Sequence, residues 1–248
     1  MDGPRQHGHS LIELMIGISL GVVLLLGVGL IFSAFHRSYL AQQADLQITQ
    51  QGITAIDFLD HSMREAGSRM EPWKQQQLAA IGAASTNSND GSDSIELLLQ
   101  SEFNCYGNLN PITGPDGLPL SGIRILRFSR PAGSDRLAWF CSYEVAGHST
   151  VVQVNNQTLV DGVDAFEVRY AEDLDDDGSP NRWVNAGAWH DPANVVQLEY
   201  ELLINAGFSP LSGPELSYSV LGLLIGPFPD RWARQRFSSK VALRNRPG

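Results

Sequence analysis

An acidic residue beside an apolar run is the first feature of this sequence that could do chemistry. Glu13 lies directly before Leu14 to Phe35, a run without any ionisable side chain. A charged residue at the centre of a membrane-spanning helix costs roughly 2.5–3.5 kcal/mol on insertion scales, so a carboxylate at this place indicates a use. Such a carboxylate can neutralise an ammonium group of another chain, which relieves both desolvation costs. The alternative is an ordinary membrane anchor with a chance glutamate.

An acidic loop in the second half of the chain is the other candidate functional site. Its carboxylates alternate before Gly178, as in the first half of an EF-hand-type calcium loop. The predicted Ca²⁺ ligands are Asp173, Asp175, Asp177, Ser179 through its carbonyl, and Asn181. Val184 stands where the bidentate glutamate belongs, so Glu172 or Asp191 would have to complete the shell. A flexible, solvated turn is the alternative.

The two cysteines, Cys105 and Cys141, have no spacing typical of zinc or redox sites. They predict a disulfide, worth roughly 3–4 kcal/mol on the chain-entropy model, with two buried free thiols as the alternative. The six histidines form no metal-ligand pair at helical spacing, and a GxSxG elbow is absent. We therefore expect neither an enzyme nor an organic cofactor. The net charge of −10 makes nucleic acid an unexpected partner.

A long helix must carry Glu13. As a helix, the 22 residues from Leu14 to Phe35 would rise about 33 Å, enough to cross a bilayer core. No proline interrupts residues 36–66, and Gly67 is a plausible stop. One apolar face is predicted in this second half, formed by Leu46, Ile53, Ile56, Leu59, Met63 and Ala66.

Beyond Gly67, short alternating runs separated by polar, glycine-bearing stretches predict antiparallel strands. The predicted strands are Ile95–Leu99, Ile123–Ser129, Leu137–Val145, Thr150–Val154, Val163–Tyr170, Val195–Ile204, Tyr218–Ile225 and Arg236–Arg244. A long helix packed on an antiparallel sheet gives an α+β fold.

The N-terminus resembles a known signal. Gly8 followed by His9-Ser10-Leu11-Ile12-Glu13-Leu14-Met15 is similar to the class III signal of type IV pilins and pseudopilins. The resemblance implies that a prepilin peptidase cuts after Gly8 and methylates His9, where most members have phenylalanine. It also implies that Glu13 pairs with the N-terminal ammonium of a neighbouring subunit during assembly.

Residues 159–170, the acidic loop and residues 237–246 resemble PilW-type minor pilins. This implies a leader (1–8), a transmembrane and spine helix (9–67) and a β-rich head (68–248). It further implies an inner-membrane protein with a cytoplasmic N-terminus and a periplasmic head, later exposed on the pilus. Such a subunit primes assembly near the tip and supports twitching motility, adhesion or DNA uptake. The implied partners are other minor pilins, the major pilin, the inner-membrane assembly platform and a tip adhesin.

Two other functions fit the same residues. A minor pseudopilin of a type II secretion system would carry the same signal and helix. A calcium-dependent adhesin would use the helix only as a membrane anchor, and its head would bind surfaces without other pilins.

Overall fold

The computed structural model describes residues 11–68, 78–208 and 214–243. Gly8 and His9, with the predicted cleavage and methylation site, lie outside the described residues. The architecture is one long helix packed on antiparallel β-sheets, so the predicted α+β class is confirmed.

Helix α1 runs from Leu11 to Glu65, which is 55 residues without a break. Gly67 follows it with φ +74°, a left-handed conformation that glycine adopts without steric cost. The Gly67 N–H donates to the Leu98 carbonyl at 2.7 Å, so the chain leaves the helix directly against a strand. The predicted stop at Gly67 is therefore where the helix turns into the sheet domain.

Within the described residues, ten strands form three antiparallel sheets. The first has the order β1-β2-β3-β4, from Ser94–Ser101, Gly122–Ser129, Arg136–Glu144 and Val151–Asp161. The second has the order β10-β7-β5-β6, from Arg234–Ala242, Val195–Asn205, Val163–Glu172 and Arg182–Val184. The third is a hairpin of β8 (Leu216–Val220) and β9 (Leu223–Phe228). All paired strands in these sheets are antiparallel, the arrangement in which alternation within a strand is most informative. The short strand β6 was not among the predicted strands.

The central strands of the second sheet, β5 and β7, are largely buried on both faces. Phe166, Val168 and Tyr170 of β5 belong to the main core, which includes the second half of α1. Ala165 and Leu203 on the opposite face join Val220 of the β8–β9 hairpin in a smaller cluster. The hairpin therefore covers part of this face of the sheet.

The predicted single strand at Tyr218–Ile225 is wrong. The chain reverses inside it at Leu221 and Gly222, which have φ +43° and +87°. Positive φ at both central residues fits a tight hairpin turn of the type I′ class. Leucine rarely adopts this conformation, so the sequence carries only half of the usual signal.

The predicted buried face of the helix is also partly wrong. Leu46 and Ile53 are 70% and 53% exposed, whereas Leu59, Met63 and Ala66 are fully buried. The buried residues before Leu59 are mostly small, namely Ala44, Ile48, Gly52 and Ala55. Small residues let the helix axis approach the sheet closely, so size, rather than hydrophobicity, decides which face is buried.

Candidate functional site

The first half of α1 extends beyond the head with its apolar side chains uncovered. Every large apolar side chain from Leu11 to Tyr39 is at least 50% exposed. Within the described residues, α1 is the helix that is long and apolar enough to cross a membrane, with a mean hydropathy of 2.7 in its most apolar window. At 1.5 Å per residue this bare segment is about 40 Å long. Such a surface requires lipid or other apolar helices around it.

Glu13 lies in the first turn of this bare segment. Its neighbours Ile12 and Leu14 are 65% and 63% exposed, so the carboxylate is placed on a surface that is otherwise apolar. The positive end of the helix dipole favours a carboxylate in the first turn. In an apolar environment this group would bind an ammonium strongly, because little water competes for either charge.

A seven-residue repeat of apolar side chains runs along α1 from Leu11 to Ile53. Its members are Leu11, Ile18, Leu25, Phe32, Tyr39, Leu46 and Ile53, and all are between 53% and 76% exposed. A repeat of seven keeps apolar residues on one side of a slightly supercoiled helix, which is the pattern of helix-to-helix packing. We call these seven residues the heptad stripe.

The heptad stripe continues past the membrane-length segment into the half of α1 that carries the head. At about 100° per residue, Leu46 and Ile53 point roughly opposite to Ala44, which faces the sheet. Sequence reasoning assigned Leu46 and Ile53 to the core and so missed their role as surface residues. The repeat itself was visible in the sequence, but several interleaved apolar positions obscured it.

The acidic loop brings three predicted ligands together. Carboxylate oxygens of Asp173, Asp175 and Asp177 lie within 4.8 Å of one another. Asp173 is 4% exposed, and its Oδ2 accepts the Gly178 N–H at 2.9 Å. Asn181 donates from Nδ2 to Asp175 Oδ1 at 3.2 Å. The arrangement is a compact oxygen-rich loop of the kind that hard cations prefer.

Ser179 belongs to the same loop, where its N–H donates to Asp177 Oδ1 at 2.7 Å. The two residues proposed to complete the shell are engaged elsewhere. Glu172 is buried, its Oε2 lies 2.7 Å from Arg182 Nη2, and its Oε1 accepts the His190 N–H at 2.6 Å. Asp191 accepts the Ala193 N–H and caps a short 3-10 turn, Pro192–Asn194. Burial would raise the pKa of Glu172, but these donors outweigh it and lower the pKa. Glu172 thus anchors the base of the loop.

Cys105 and Cys141 form a disulfide, as the sequence predicts. It ties the loop after β1 to the middle of β3, across 36 residues of sequence. Nearby, Asn110 Nδ2 donates to the hydroxyl of Tyr143 at 3.0 Å, and that hydroxyl lies 3.1 Å from the Ser101 carbonyl. These contacts hold the long 102–121 loop against the end of the head near the helix C-terminus.

Known protein families match two parts of this chain. Residues 139–245 match the family described as type IV pilus-assembly protein W, PilW, and residues 3–29 match the prokaryotic N-terminal methylation motif. Among solved structures, a type IV-like pilin from Thermus thermophilus is similar, with 20% identity and a TM-score of 0.46. That match covers 79% of this chain and 96% of the other. No curated protein sequence matches the chain.

Proposed function

We propose that the chain is a PilW-like type IV pilin with an N-terminal methylation motif, and that it acts as a minor pilin that primes filament assembly near the tip. The pilin family is structural rather than enzymatic, and its members interact with other pilins and with the assembly machinery. The priming role is proposed from the match of residues 139–245 to the PilW family, whereas packing into a filament is proposed from the features of α1 described above.

The heptad stripe is the observation that carries this proposal. A helix that served only as a membrane anchor would need apolar residues across the bilayer and polar residues beyond it. Here Tyr39, Leu46 and Ile53 extend the exposed apolar surface into the head-bearing half, where the opposite side of the helix is already packed. Helices of neighbouring subunits would cover that surface in a filament.

Glu13 would set the register of this packing. Trimming after Gly8 would make His9 the new N-terminus, four residues before Glu13. Pairing of that ammonium with Glu13 of a neighbouring subunit would fix how far one helix is displaced along another. Before assembly, α1 would hold the protein in the inner membrane, with a cytoplasmic N-terminus and a periplasmic head.

Substitution of Glu13 tests the assembly role. Glu13→Ala leaves the apolar run from Leu14 to Phe35 unchanged, so the variant should remain in the membrane and be absent from sheared filaments. Asp45→Ala is the matched control, because it removes an exposed carboxylate from the same helix beyond the apolar run. Normal incorporation of the Glu13→Ala variant would refute the assigned role.

A deletion strain separates the pilus from a type II secretion system. Loss of twitching with normal release of secreted proteins supports the minor pilin, and the reverse result supports a minor pseudopilin. Binding of the protein to surfaces in a strain without other pilins would instead favour an anchored adhesin. Mass spectrometry of partners co-purified from membranes would identify other minor pilins, the major pilin, the assembly platform or a tip adhesin.

A further inference from the structure

A polar cleft of about 180 Å³ lies on the side of the second sheet that faces the β8–β9 hairpin. Its walls are the loop 87–89, Glu167 and Arg169 of β5, Asn185, and the hairpin turn 221–223. The cleft is separate from the acidic loop, from α1 and from the disulfide. The assembly role assigns it no function.

Two carboxylates lie side by side on adjacent strands next to this cleft, and they differ in their hydrogen-bond partners. Glu167 of β5 is paired in register with Glu201 of β7, and each is 8% exposed. Glu201 Oε2 accepts the Leu221 N–H at 2.7 Å. Glu167 Oε1, in contrast, is buried without a hydrogen-bond partner within the described residues. A buried acceptor left in this state is costly, so a ligand that donates to it gains binding energy.

Carboxylates outweigh cations around Glu167, although Arg169 lines the cleft and Arg236 Nη1 lies 3.5 Å from Oε1 of the neighbouring Glu201. Burial raises the pKa of the Glu167 carboxyl to about 8, and the nearby carboxylates of Asp93 and Asp90 act in the same direction. Arg169 opposes this effect, but its Nη2 donates to the Leu221 carbonyl at 2.6 Å and holds the hairpin turn. A cation bound beside Glu167 would therefore favour the ionised form of its carboxyl.

We propose that this cleft binds a primary ammonium group, from a lysine side chain or a small free amine, through the carboxyl of Glu167. A metal ion fits less well, because Asp93 uses its two oxygens for the N–H groups of Ser88 and Val168, at 2.6 and 2.9 Å. Guanidinium groups prefer a bidentate carboxylate, whereas an ammonium is a compact charge with three donors. The side-chain amides that line the cleft, at Asn87, Asn89 and Asn185, offer oxygen acceptors for the remaining donors.

Isothermal titration of the full chain in detergent with ethylammonium chloride tests the proposal. Saturable binding is expected, weakened at least about tenfold by Glu167→Gln, since an amide keeps the shape of the carboxyl but cannot ionise when the ammonium binds. Glu144→Gln, which changes an exposed carboxylate at the end of β3, should bind as the wild type does. Tetramethylammonium has the same charge without N–H donors and should not bind.

A measurement on the wild type alone provides an independent check. A carboxyl with a pKa of about 8 is mostly protonated at neutral pH, so binding of the ammonium should release close to one proton per ligand. The number of protons is obtained by comparing the heats of binding in buffers of different ionisation enthalpy. Absence of saturable binding at millimolar ethylammonium, or equal binding by the Glu167→Gln variant, would overturn the proposal.

The source of the ammonium is distinguished in membranes. Carbodiimide treatment that joins Glu167 to a lysine of a neighbouring protein, with the product lost in Glu167→Gln, identifies a protein side chain. Ethylammonium binding without such a product identifies a free amine. A product that persists in the variant contradicts the assignment to Glu167.

Discussion

Removal of the apolar side chains at Leu46 and Ile53 should block assembly without unfolding the head. The two residues are 70% and 53% exposed in the isolated chain. Complete burial of a leucine or isoleucine side chain is worth about 1.5–3 kcal/mol. Scaled by the exposed fractions, covering both residues in a filament would contribute about 2–4 kcal/mol per subunit. Since 1.4 kcal/mol is a factor of ten, the double variant should lose roughly 30-fold or more in incorporation.

The stability of the head gives the contrast that makes this prediction specific. Substitutions at exposed positions usually change the free energy of unfolding by no more than about 0.5 kcal/mol. The Leu46→Ser/Ile53→Ser variant should therefore reach the membrane at wild-type levels. The assay is the ratio of the protein in sheared filaments to the protein in membranes, measured by quantitative mass spectrometry.

Two control variants complete the experiment. Gln47→Ser changes an exposed residue on the same turn of α1 but off the heptad stripe, and it should incorporate normally. Leu46→Ile/Ile53→Leu keeps the apolar surface and should retain most incorporation. If the serine pair assembled as well as the wild type, the heptad stripe would not be a packing surface. Loss of the serine pair from the membrane as well would show that these residues act in folding.

The remaining predictions concern packing, pH and calcium. Gly52→Ala should lower the free energy of unfolding by about 1 kcal/mol, since its new Cβ would lie 2.3 Å from the Phe237 ring and overpacking outweighs the helix gain. Denaturant unfolding should show that adding Phe237→Leu to the Gly52→Ala variant relieves this loss. A Gly52→Ala variant more stable than the wild type would contradict close packing of Gly52 against Phe237. Burial raises the pKa of Glu167 from 4.5 to about 8, so the folded state favours the protonated carboxyl. Its contribution to the free energy of unfolding is therefore greatest below about pH 4.5 and is lost as pH rises to about 8. Unfolding curves of Glu167→Gln should therefore gain on the wild type as pH rises, and a constant difference would exclude this linkage. Calcium binding by the acidic loop stays a prediction: calorimetry should give saturable heat that Asp175→Asn weakens. Absence of heat from the wild type at millimolar calcium would refute calcium binding by this loop.

Contacts between distant residues supplied what local patterns did not. Arg234 is the first residue of β10, and a charged side chain on an edge strand ordinarily lies at the surface. Strand β10 is indeed at a sheet edge, yet the Arg234 side chain is 1% exposed and lies 2.7 Å from both Asp164 and Asp230. Its role is to join three parts of the head, because a buried guanidinium is stable only when carboxylates surround it.

The facing pair Glu167 and Glu201 is a second example. Each strand shows its own alternation, but no local pattern specifies that two acidic residues meet in register on adjacent strands. Likewise, the turn at Leu221 and Gly222 is held by Arg169 and Glu201 from the sheet beneath it. The sheet therefore imposes a backbone conformation that leucine rarely adopts on its own.

By itself, the sequence determined the features that depend on short-range physics. An uninterrupted apolar run requires a helix in lipid, Gly67 permits the left-handed helix end, and alternation selects strands with a buried face. The tertiary structure alone decided which side of α1 faces the sheet, since the closeness of approach at Gly52 depends on Phe237, far along the chain. That choice left Leu46 and Ile53 uncovered, because a helix already packed on one side can offer only its opposite side to a neighbour.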